Sequence, residues 1–219
     1  DLPVLELPTD RPRGAQQPAR GESIRGWLSP GTTDGLKGLG LKNGCTLYMT
    51  LLAAFFAYLH RYSGNDSIVV GCPVAGRGMK ELEGMMGFFV NTLPMKADLS
   101  GDPSFLDLLK EVRRAALEAY SNQDVPFDRI VEELQPQRDL SRSPVYQTLF
   151  QLRNFPVPAP GSGSISLVRH DFGWATAQVD LFMDIEEEGQ GLRCKIEYPS
   201  ELFDRGTVER MARHWVRLL

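Results

Sequence analysis

Histidine is scarce in this chain, with three among 219 residues. His60, His170 and His214 stand far apart, so they offer no local His-His motif and no pair of imidazoles for a metal ion. Histidine-dependent chemistry therefore has to assemble from distant positions or come from elsewhere. His60 and His214 lie in predicted helices and are interpreted as structural. His170 and Asp171 are consecutive residues at a predicted strand, and adjacent strand residues are expected to point to opposite faces, which disfavours a dyad.

Cysteine is equally scarce, and the three cysteines show no C-x-x-C spacing. An odd number without that spacing argues against a zinc site and against a disulfide framework. Cys45, Cys72 and Cys194 all lie in apolar or alternating stretches, which predicts buried, reduced thiols. Such thiols suit a reducing compartment, and we expect a cytoplasmic location. We predict no metal site.

Long apolar runs and excess charge are also missing. Leu47–Leu59 is the longest apolar run, and it is too short to span a bilayer. No charged-then-apolar signal segment opens the chain. With 24 basic and 28 acidic side chains the net charge is −4, which gives no reason to expect a nucleic acid or a membrane as partner. What remains is ordinary globular composition, enough for one large domain or two small ones.

The first 21 residues differ from the rest because they contain four prolines. Proline fixes φ and biases its predecessor towards extended conformations, so residues 1–21 are predicted to be an extended connector. A chain that begins inside a connector suggests a piece of something longer. Glu22–Leu28 is predicted to be a strand, and Thr32 or Thr33 is predicted to cap a short helix over Asp34–Leu41.

The body of the chain alternates between helical and extended patterns. A helix over Leu47–Tyr62 is predicted, with Thr46 as its cap and Ser63-Gly64 as its end. Further helices are predicted from Pro103, over Phe127–Leu134 and over Arg205–Leu219, the last with a buried stripe of Val208, Met211, Ala212, Trp215 and Leu218. Strands are predicted over Ser67–Cys72, Phe88–Lys96, Val145–Arg153, Ser164–His170, and in a hairpin of Val179–Ile185 with Leu192–Tyr198 around a turn at Glu186–Gly191. The predicted fold class is α/β (α+β), a mixed β-sheet with helices packed on it.

Two segments are too specific to reflect packing alone. Val70–Arg77 is a strand that runs into a Gly/Pro turn and ends on an arginine, although a strand exit with a solvated Arg77 explains it as well. Gly87–Leu93 places the polar pair Asn91 and Thr92 beside an aromatic wall, although a core strand with a polar end has the same pattern.

Two further segments, which follow later in the chain, are polar and charged. Asn122–Asp128 is a turn that enters a helix, and Asp124 is predicted to cap that helix. Arg138–Pro144 is a charged stretch that enters a strand. Asp139 is expected to pair with Arg138 or Arg142, or to accept backbone donors. Capping and loop fixing are the structural alternatives for both segments.

Together, in this order and spacing, the segments resemble condensation domains of nonribosomal peptide synthetases. Leu7–Arg13 and Leu202–Asp204 are also similar to parts of that family. The resembling motifs are G-x-P-x-x-x-R, F-F-V-N-T, [HN]-Q-D-x-P-F and R-D-x-S-R-x-P. The motif residues, apart from Arg77, are Gly87, Phe88, Phe89, Asn91, Thr92, Asn122, Gln123, Asp124, Pro126, Phe127, Arg138, Asp139, Ser141, Arg142 and Pro144.

The family's catalytic motif, H-H-x-x-x-D-G, is absent. The resemblance therefore covers the inter-lobe connector, residues 1–21, and the C-terminal lobe, residues 22–219. It implies a lobe like chloramphenicol acetyltransferase, part of a domain that joins a carrier-bound acyl thioester to a carrier-bound amine. The chain itself would bind no cofactor, since the substrates ride on phosphopantetheine arms of carrier proteins. The implied partners are the N-terminal lobe, the donor and acceptor carrier proteins and an adjoining adenylation domain.

The resemblance also implies roles for residues. Arg77 would pair across the lobes with the aspartate of the missing motif. A floor loop at about 84–95 would bridge the lobes, with Asn91 and Thr92 along the substrate path. A latch at about 171–184 would cross to the other lobe. Alone, the chain is expected to be inactive. The alternative is a non-catalytic platform that docks a carrier protein or an adenylation domain; the missing motif argues against an independent acyltransferase.

Overall fold

The structure is a computed structural model that describes residues 2–136, 139–154 and 176–219. Within them, six strands form one sheet in the order β1-β6-β5-β4-β2-β3. Strand β4 runs parallel to both β2 and β5, and the other pairs are antiparallel. This mixed sheet confirms the predicted fold class. The strands are β1 (Gly21–Leu28), β2 (Ser67–Val74), β3 (Asn91–Asp98), β4 (Thr148–Arg153), β5 (Leu181–Glu188) and β6 (Gly191–Pro199).

Helices pack on this sheet around a central, almost wholly buried helix. Leu47–Ser63 forms that helix, as its nearly continuous apolar sequence predicts. Its start and end are confirmed, since Thr46 Oγ1 accepts the Met49 N–H at 3.2 Å and Gly64 adopts a left-handed φ of +70°. The helices are α1 (Pro30–Lys42), α2 (Leu47–Ser63), α3 (Phe105–Ser121), α4 (Phe127–Leu134) and α5 (Arg205–Leu218), with a 3₁₀ turn at Lys80–Leu82.

Two predicted helix starts are wrong, each because a serine supplies the cap. Helix α1 begins at Pro30, four residues before the predicted start, and Ser29 rather than Thr32 or Thr33 accepts the capping N–H. Proline suits the first helical turn, because a backbone N–H at that position would have no acceptor within the helix. Helix α3 begins at Phe105 instead of Pro103, with Ser104 as its cap.

Two strands start later than predicted, and the last residue of the predicted buried stripe on α5 is exposed. Strand β3 begins at Asn91, and Phe88 lies outside it. Strand β4 begins at Thr148 instead of Val145. On α5 the predicted residues Val208, Met211 and Trp215 are buried and Ala212 is half-buried, but Leu218 in the last turn is 47% exposed.

The hairpin is confirmed with a shorter turn than predicted. Glu188 pairs with Gly191, so only two residues, Gly189 and Gln190, connect β5 to β6. Gly189 has a φ of +60°, a conformation that favours glycine in such tight turns.

The core lies between α2 and one face of the sheet. The Phe55 ring centroid stands 5.4 Å from that of Phe150 on β4 and 6.1 Å from that of Trp215 on α5. The three cysteines are buried and free, as predicted. Burial raises the pKa of Cys72 to about 12, so this thiol stays protonated at neutral pH.

Several predictions fall outside the described residues. These are the strand at 164–170 with His170, Arg138, and the first five residues of the latch at 171–184. Among the described helices, none is by itself long and apolar enough to cross a membrane. Of these same helices, only α1 and α2 taken together pass on length and composition, with a bend of 102° between them.

Candidate functional site

Three of the four motifs meet at one place, which we call the motif junction and define as Gly71, Asn91, Thr92, Phe127 and Tyr146. Asn91, the first residue of β3, makes three hydrogen bonds through its side chain. Its Oδ1 accepts the Phe127 N–H at 3.1 Å, and its Nδ2 donates to Gln123 O at 2.9 Å and to Val125 O at 2.8 Å. One amide therefore ties the F-F-V-N-T segment to the N-Q-D-V-P-F segment.

Tyr146 fills the centre of the motif junction. Its ring centroid lies 5.3 Å from that of Phe127, and its phenol lies near the Thr92 side chain. A Cβ on Gly71 would lie 2.8 Å from the Tyr146 ring and 2.7 Å from Leu149, so only glycine leaves room for this side chain. Burial raises the pKa of Tyr146, although the contact with Thr92 acts in the opposite direction. The phenol therefore stays protonated at neutral pH.

The predicted cap of α4 is wrong. Asp124 is exposed, and Pro126 stands at the N-cap position, where its side chain makes no capping hydrogen bond. The cap comes from Asn91, which is distant in sequence, and local pattern reasoning does not find such partners. Asn122 serves the preceding helix instead, since its Nδ2 donates to Glu118 O at 2.9 Å near the end of α3.

Arg77 folds back on the loop that follows it. Its guanidinium donates to Leu82 O and lies 4.4 Å from the centroid of the Phe89 ring. Leu82 and Phe89 are the residues of 78–90 that are not exposed, so this stretch is organised around Arg77. Gly76, with a φ of +63°, permits the close approach of the Phe89 carbonyl.

We call residues 78–90 the exposed segment, because it carries large apolar side chains that the described residues leave uncovered. Met86 is 100% exposed and Phe88 is 92% exposed. Such a cluster on one loop is typical of a surface that another protein surface covers. The other exposed apolar residues here are Met79, Met85 and Val90.

The fourth motif lies elsewhere and holds the connector. Arg142 pairs with Glu6 at 2.7 Å, and Arg13 donates to Asp180 Oδ1 at 3.0 Å and to Ser141 O at 3.1 Å. Glu6 holds the pKa of Arg142 above its usual value. Burial raises the pKa of Asp180 against the pull of Arg13. We call these residues, together with Asp139, the connector clamp.

Asp139 meets two of its predicted alternatives, since it accepts a backbone donor and pairs with Arg142. Its Oδ1 accepts the Ser141 N–H at 2.8 Å and the Ser141 hydroxyl at 2.6 Å, and its other oxygen lies 3.6 Å from Arg142 Nε. These bonds from Ser141 lower the pKa of Asp139. Pro144 stays exposed and precedes the buried Val145.

The connector is extended, as predicted, but it is fastened to the body along its length. Asp10 binds the start of α5, since its Oδ2 accepts the Asp204 N–H at 2.7 Å and its Oδ1 accepts the Thr207 hydroxyl at 2.9 Å. Arg11 pairs with Asp204. Sequence reasoning missed these partners, and the family-like segments Leu7–Arg13 and Leu202–Asp204 were the signal that could have found them.

The two described histidines lie away from both clusters. His60 Nδ1 is 3.0 Å from Asn65 O, and His214 Nδ1 is 2.7 Å from the Tyr62 hydroxyl, which supports their structural interpretation. Across residues 2–136, 139–154 and 176–219, no group of three or more His, Cys, Asp or Glu side chains is placed to hold a metal ion.

The mixed sheet and the junction of these motifs define a condensation-type domain. The chain belongs to the condensation-domain family, which matches residues 1–219. It is 48% identical over 219 residues to one of the linear gramicidin synthase proteins of Brevibacillus parabrevis, covering 99% of this chain and 3% of that protein. It is 40% identical to gramicidin S synthase 2 of Brevibacillus brevis, covering all of this chain and 5% of that protein.

Solved structures share the fold. A complex of the X-domain and OxyB from teicoplanin biosynthesis matches with a TM-score of 0.89 and 30% identity, covering all of this chain and 48% of that one. A four-domain nonribosomal peptide synthetase bound to AMP and glycine matches with a TM-score of 0.87 at 24% identity, covering 99% of this chain and 18% of that one. The chain thus spans a small part of the synthetases and about half of the X-domain chain.

Proposed function

We propose that this chain is the C-terminal lobe of an amide-forming condensation domain, with residues 1–21 as the connector to the N-terminal lobe. The meeting of three motifs at the motif junction carries this proposal. Packing of the core alone does not require Asn91, Phe127 and Tyr146 to meet outside it. In the whole domain, the amine on an acceptor carrier protein attacks the thioester on a donor carrier protein, and an amide bond forms as the carrier thiol leaves.

The exposed segment supports the need for a second lobe. Its uncovered methionines and phenylalanine form a surface of the kind that a partner covers. We propose that the N-terminal lobe covers the exposed segment, whose last residues belong to the floor loop at about 84–95. Arg77 would then leave Leu82 and Phe89 to pair with the aspartate of H-H-x-x-x-D-G. An arginine is suited to both arrangements, because its planar guanidinium stacks on rings and binds carboxylates. The latch, about 171–184, would cross to the same lobe.

The motif junction supplies the wall of the proposed substrate path. Thr92, with the half-buried rings of Phe127 and Tyr146, offers an apolar surface with one hydroxyl pair, which suits the thin phosphopantetheine arm of a carrier protein. The chain's own residues would bind and orient. The proton transfer, or the positioning of the reacting groups, belongs to the histidine motif that this chain lacks, so the lobe alone would be inactive. We further propose a cytoplasmic location, suited to three free thiols, and an adjoining adenylation domain in the parent synthetase.

Reconstitution tests the proposal. The 219-residue chain, its N-terminal lobe, and the two together are each mixed with a donor carrier protein loaded with an aminoacyl group and a loaded acceptor carrier. Amide product is expected only from the two lobes together. Product from the chain alone, or none from the intact parent domain, would overturn it. Arg77→Ala should weaken reassembly, whereas Arg77→Lys should restore little because it lacks the planar fork.

A docking platform is the second candidate. The observation that favours it is the 30% identity to an X-domain whose structure is a complex with OxyB. In this second role the chain would bind a carrier protein, an adenylation domain or another enzyme without forming an amide. An intact parent domain that binds its carrier proteins but yields no amide would favour this candidate.

A further inference from the structure

The side chain of Asn91 uses all its hydrogen-bond donors. Both N–H groups of Nδ2 go to carbonyl oxygens of the turn before α4, those of Gln123 and Val125, and Oδ1 accepts from Phe127 within the first turn of that helix. Asn91 itself begins β3, whose remaining residues are bound in the sheet to β2. The side chain therefore joins a fixed element to a turn and a helix that are distant in sequence.

Helix α4 has few other attachments. None of its eight residues is buried, and its own N-cap residue makes no side-chain bond. The ring contact between Phe127 and Tyr146 is its aromatic link to the segment that leads into β4. A helix that buries so little surface gains little energy from packing, so its place depends on how its first turn is held.

We propose that Asn91 is a positioning residue: it holds the turn at Gln123–Val125 and the start of α4 so that Phe127 completes the wall with Thr92 and Tyr146. This inference rests on the proposed function, because the wall is taken to border the path of a carrier-bound substrate. Asn91 acts through Phe127, because both its side-chain donors bind Gln123 O and Val125 O and are not free for a substrate along the path. Its loss weakens productive binding of one carrier-bound substrate and leaves the chemical step unchanged.

The geometry separates this role from ordinary helix capping. A cap needs only an acceptor for the Phe127 N–H, and aspartate is as good a cap as asparagine. Here the other half of the side chain meets two carbonyl oxygens, so a carboxylate would face them with no proton to donate and would repel them. Aspartate is therefore the worst replacement if the turn must be held, and a harmless one if only the cap matters.

The experiment uses the complete condensation domain with loaded donor and acceptor carrier proteins, and compares wild type with Asn91→Ala and Asn91→Asp. The matched control is Asn43→Asp, because Asn43 Nδ2 also donates to a helix carbonyl, Leu39 O at 2.8 Å, at the end of α1. Loss of the held turn is expected to raise the KM for one of the two carrier substrates about fivefold in Asn91→Ala, with kcat within about twofold. Asn43→Asp should leave both KM values and kcat at the wild-type level.

The pH dependence of the aspartate variant is a second readout. At about pH 8 its KM should exceed that of Asn91→Ala, to about tenfold above wild type, and it should fall towards the alanine value only as pH is lowered through the pKa of the new carboxyl, which then takes up a proton and regains one donor. The alanine variant should show no such change beyond that of wild type. If Asn91 only stabilised the fold, its variants would contain less active enzyme, so the apparent kcat would fall and both KM values would stay at the wild-type level.

Amide hydrogen exchange of the 219-residue chain gives a reading that does not depend on catalysis. Faster exchange across residues 123–130 is expected in Asn91→Asp than in Asn91→Ala at the same pH, with no change in Asn43→Asp. Wild-type levels of both KM and exchange in Asn91→Asp, or a fall in kcat with both KM values unchanged, would overturn the inference. If the wild-type condensation domain forms no amide but exchange is altered in the Asn91 variants, the proposed function is overturned. The positioning of the turn and of α4 by Asn91 is then still supported.

Discussion

The motif junction and the connector clamp both join segments that are distant in sequence, the first through neutral contacts and the second through ion pairs. The junction ties three segments with one neutral amide, a hydroxyl pair and packed rings, and none of its five residues is charged. The clamp ties the connector to the body with arginines and carboxylates: the Arg13 and Asp180 side chains are only 14% and 6% exposed. Neutral contacts depend on shape and on backbone room, whereas a nearly buried ion pair depends on both partners being present. The two regions should therefore fail in different ways.

The largest expected effect is at the clamp. Asp180→Ala leaves Arg13 as an unpaired, nearly buried cation, and breaking such a pair costs about 3–5 kcal/mol of unfolding free energy. Urea unfolding followed by circular dichroism measures it. Replacing both partners, as Arg13→Leu with Asp180→Leu, should recover most of the loss because no uncompensated charge remains.

The exposed pair of Arg114 and Glu118 is the control for this prediction. Their side chains are 70% and 69% exposed, so Glu118→Ala should cost under about 1 kcal/mol. Equal losses in Asp180→Ala and Glu118→Ala would contradict the difference in burial on which the clamp's role depends.

A smaller effect is expected at the junction. In Gly71→Ala the new methyl group would stand 2.8 Å from the Tyr146 ring, and overpacking of this kind costs about 1–3 kcal/mol. Strand β1 offers a matched control, since a Cβ on Gly26 meets no heavy atom within 4 Å. Gly26→Ala should therefore stay within about 0.5 kcal/mol of wild type. Indistinguishable unfolding midpoints for the two variants would show that Tyr146 is not confined by Gly71.

The smallest expected effect is a response to acid that the connector clamp shows and the motif junction does not. Ser141 lowers the pKa of Asp139 in the folded chain, so this contact stabilises the fold above the unfolded value of about 3.9 and is lost as pH falls through the lower, folded value. Carboxyl NMR titration should place the Asp139 midpoint below about 3.9, and Ser141→Ala should raise it. Over the same pH range the ring signals of Phe127 and Tyr146 should stay constant, because the junction has no carboxyl group. Parallel shifts in both regions would contradict this separation.

Sequence patterns predicted the elements whose signals are local. Helix α2 has its cap, its apolar surface and its terminal glycine within one stretch, and the hairpin has its alternation and its turn within another. The order and spacing of the motifs indicated the family. Predictions were wrong at α1, α3 and α4, where a serine one residue before the helix or an asparagine 36 residues before Phe127 supplies the cap.

Composition and pattern by themselves determined that the chain buries a core, keeps three reduced thiols and belongs with mixed α/β folds, because burial and periodicity are properties of consecutive residues. Only the tertiary structure decided that Asn91 faces Phe127, that Tyr146 lies over Gly71, and that Arg13 reaches Asp180. Each of these contacts joins residues that are distant in sequence: Asn91 begins β3 and Phe127 begins α4, whereas Arg13 lies in the connector and Asp180 precedes β5. The physical reason is that a hydrogen bond or an ion pair is set by distance in space, and only the packing of the whole chain, with its non-sequential strand order, fixes which distant residues come within that distance.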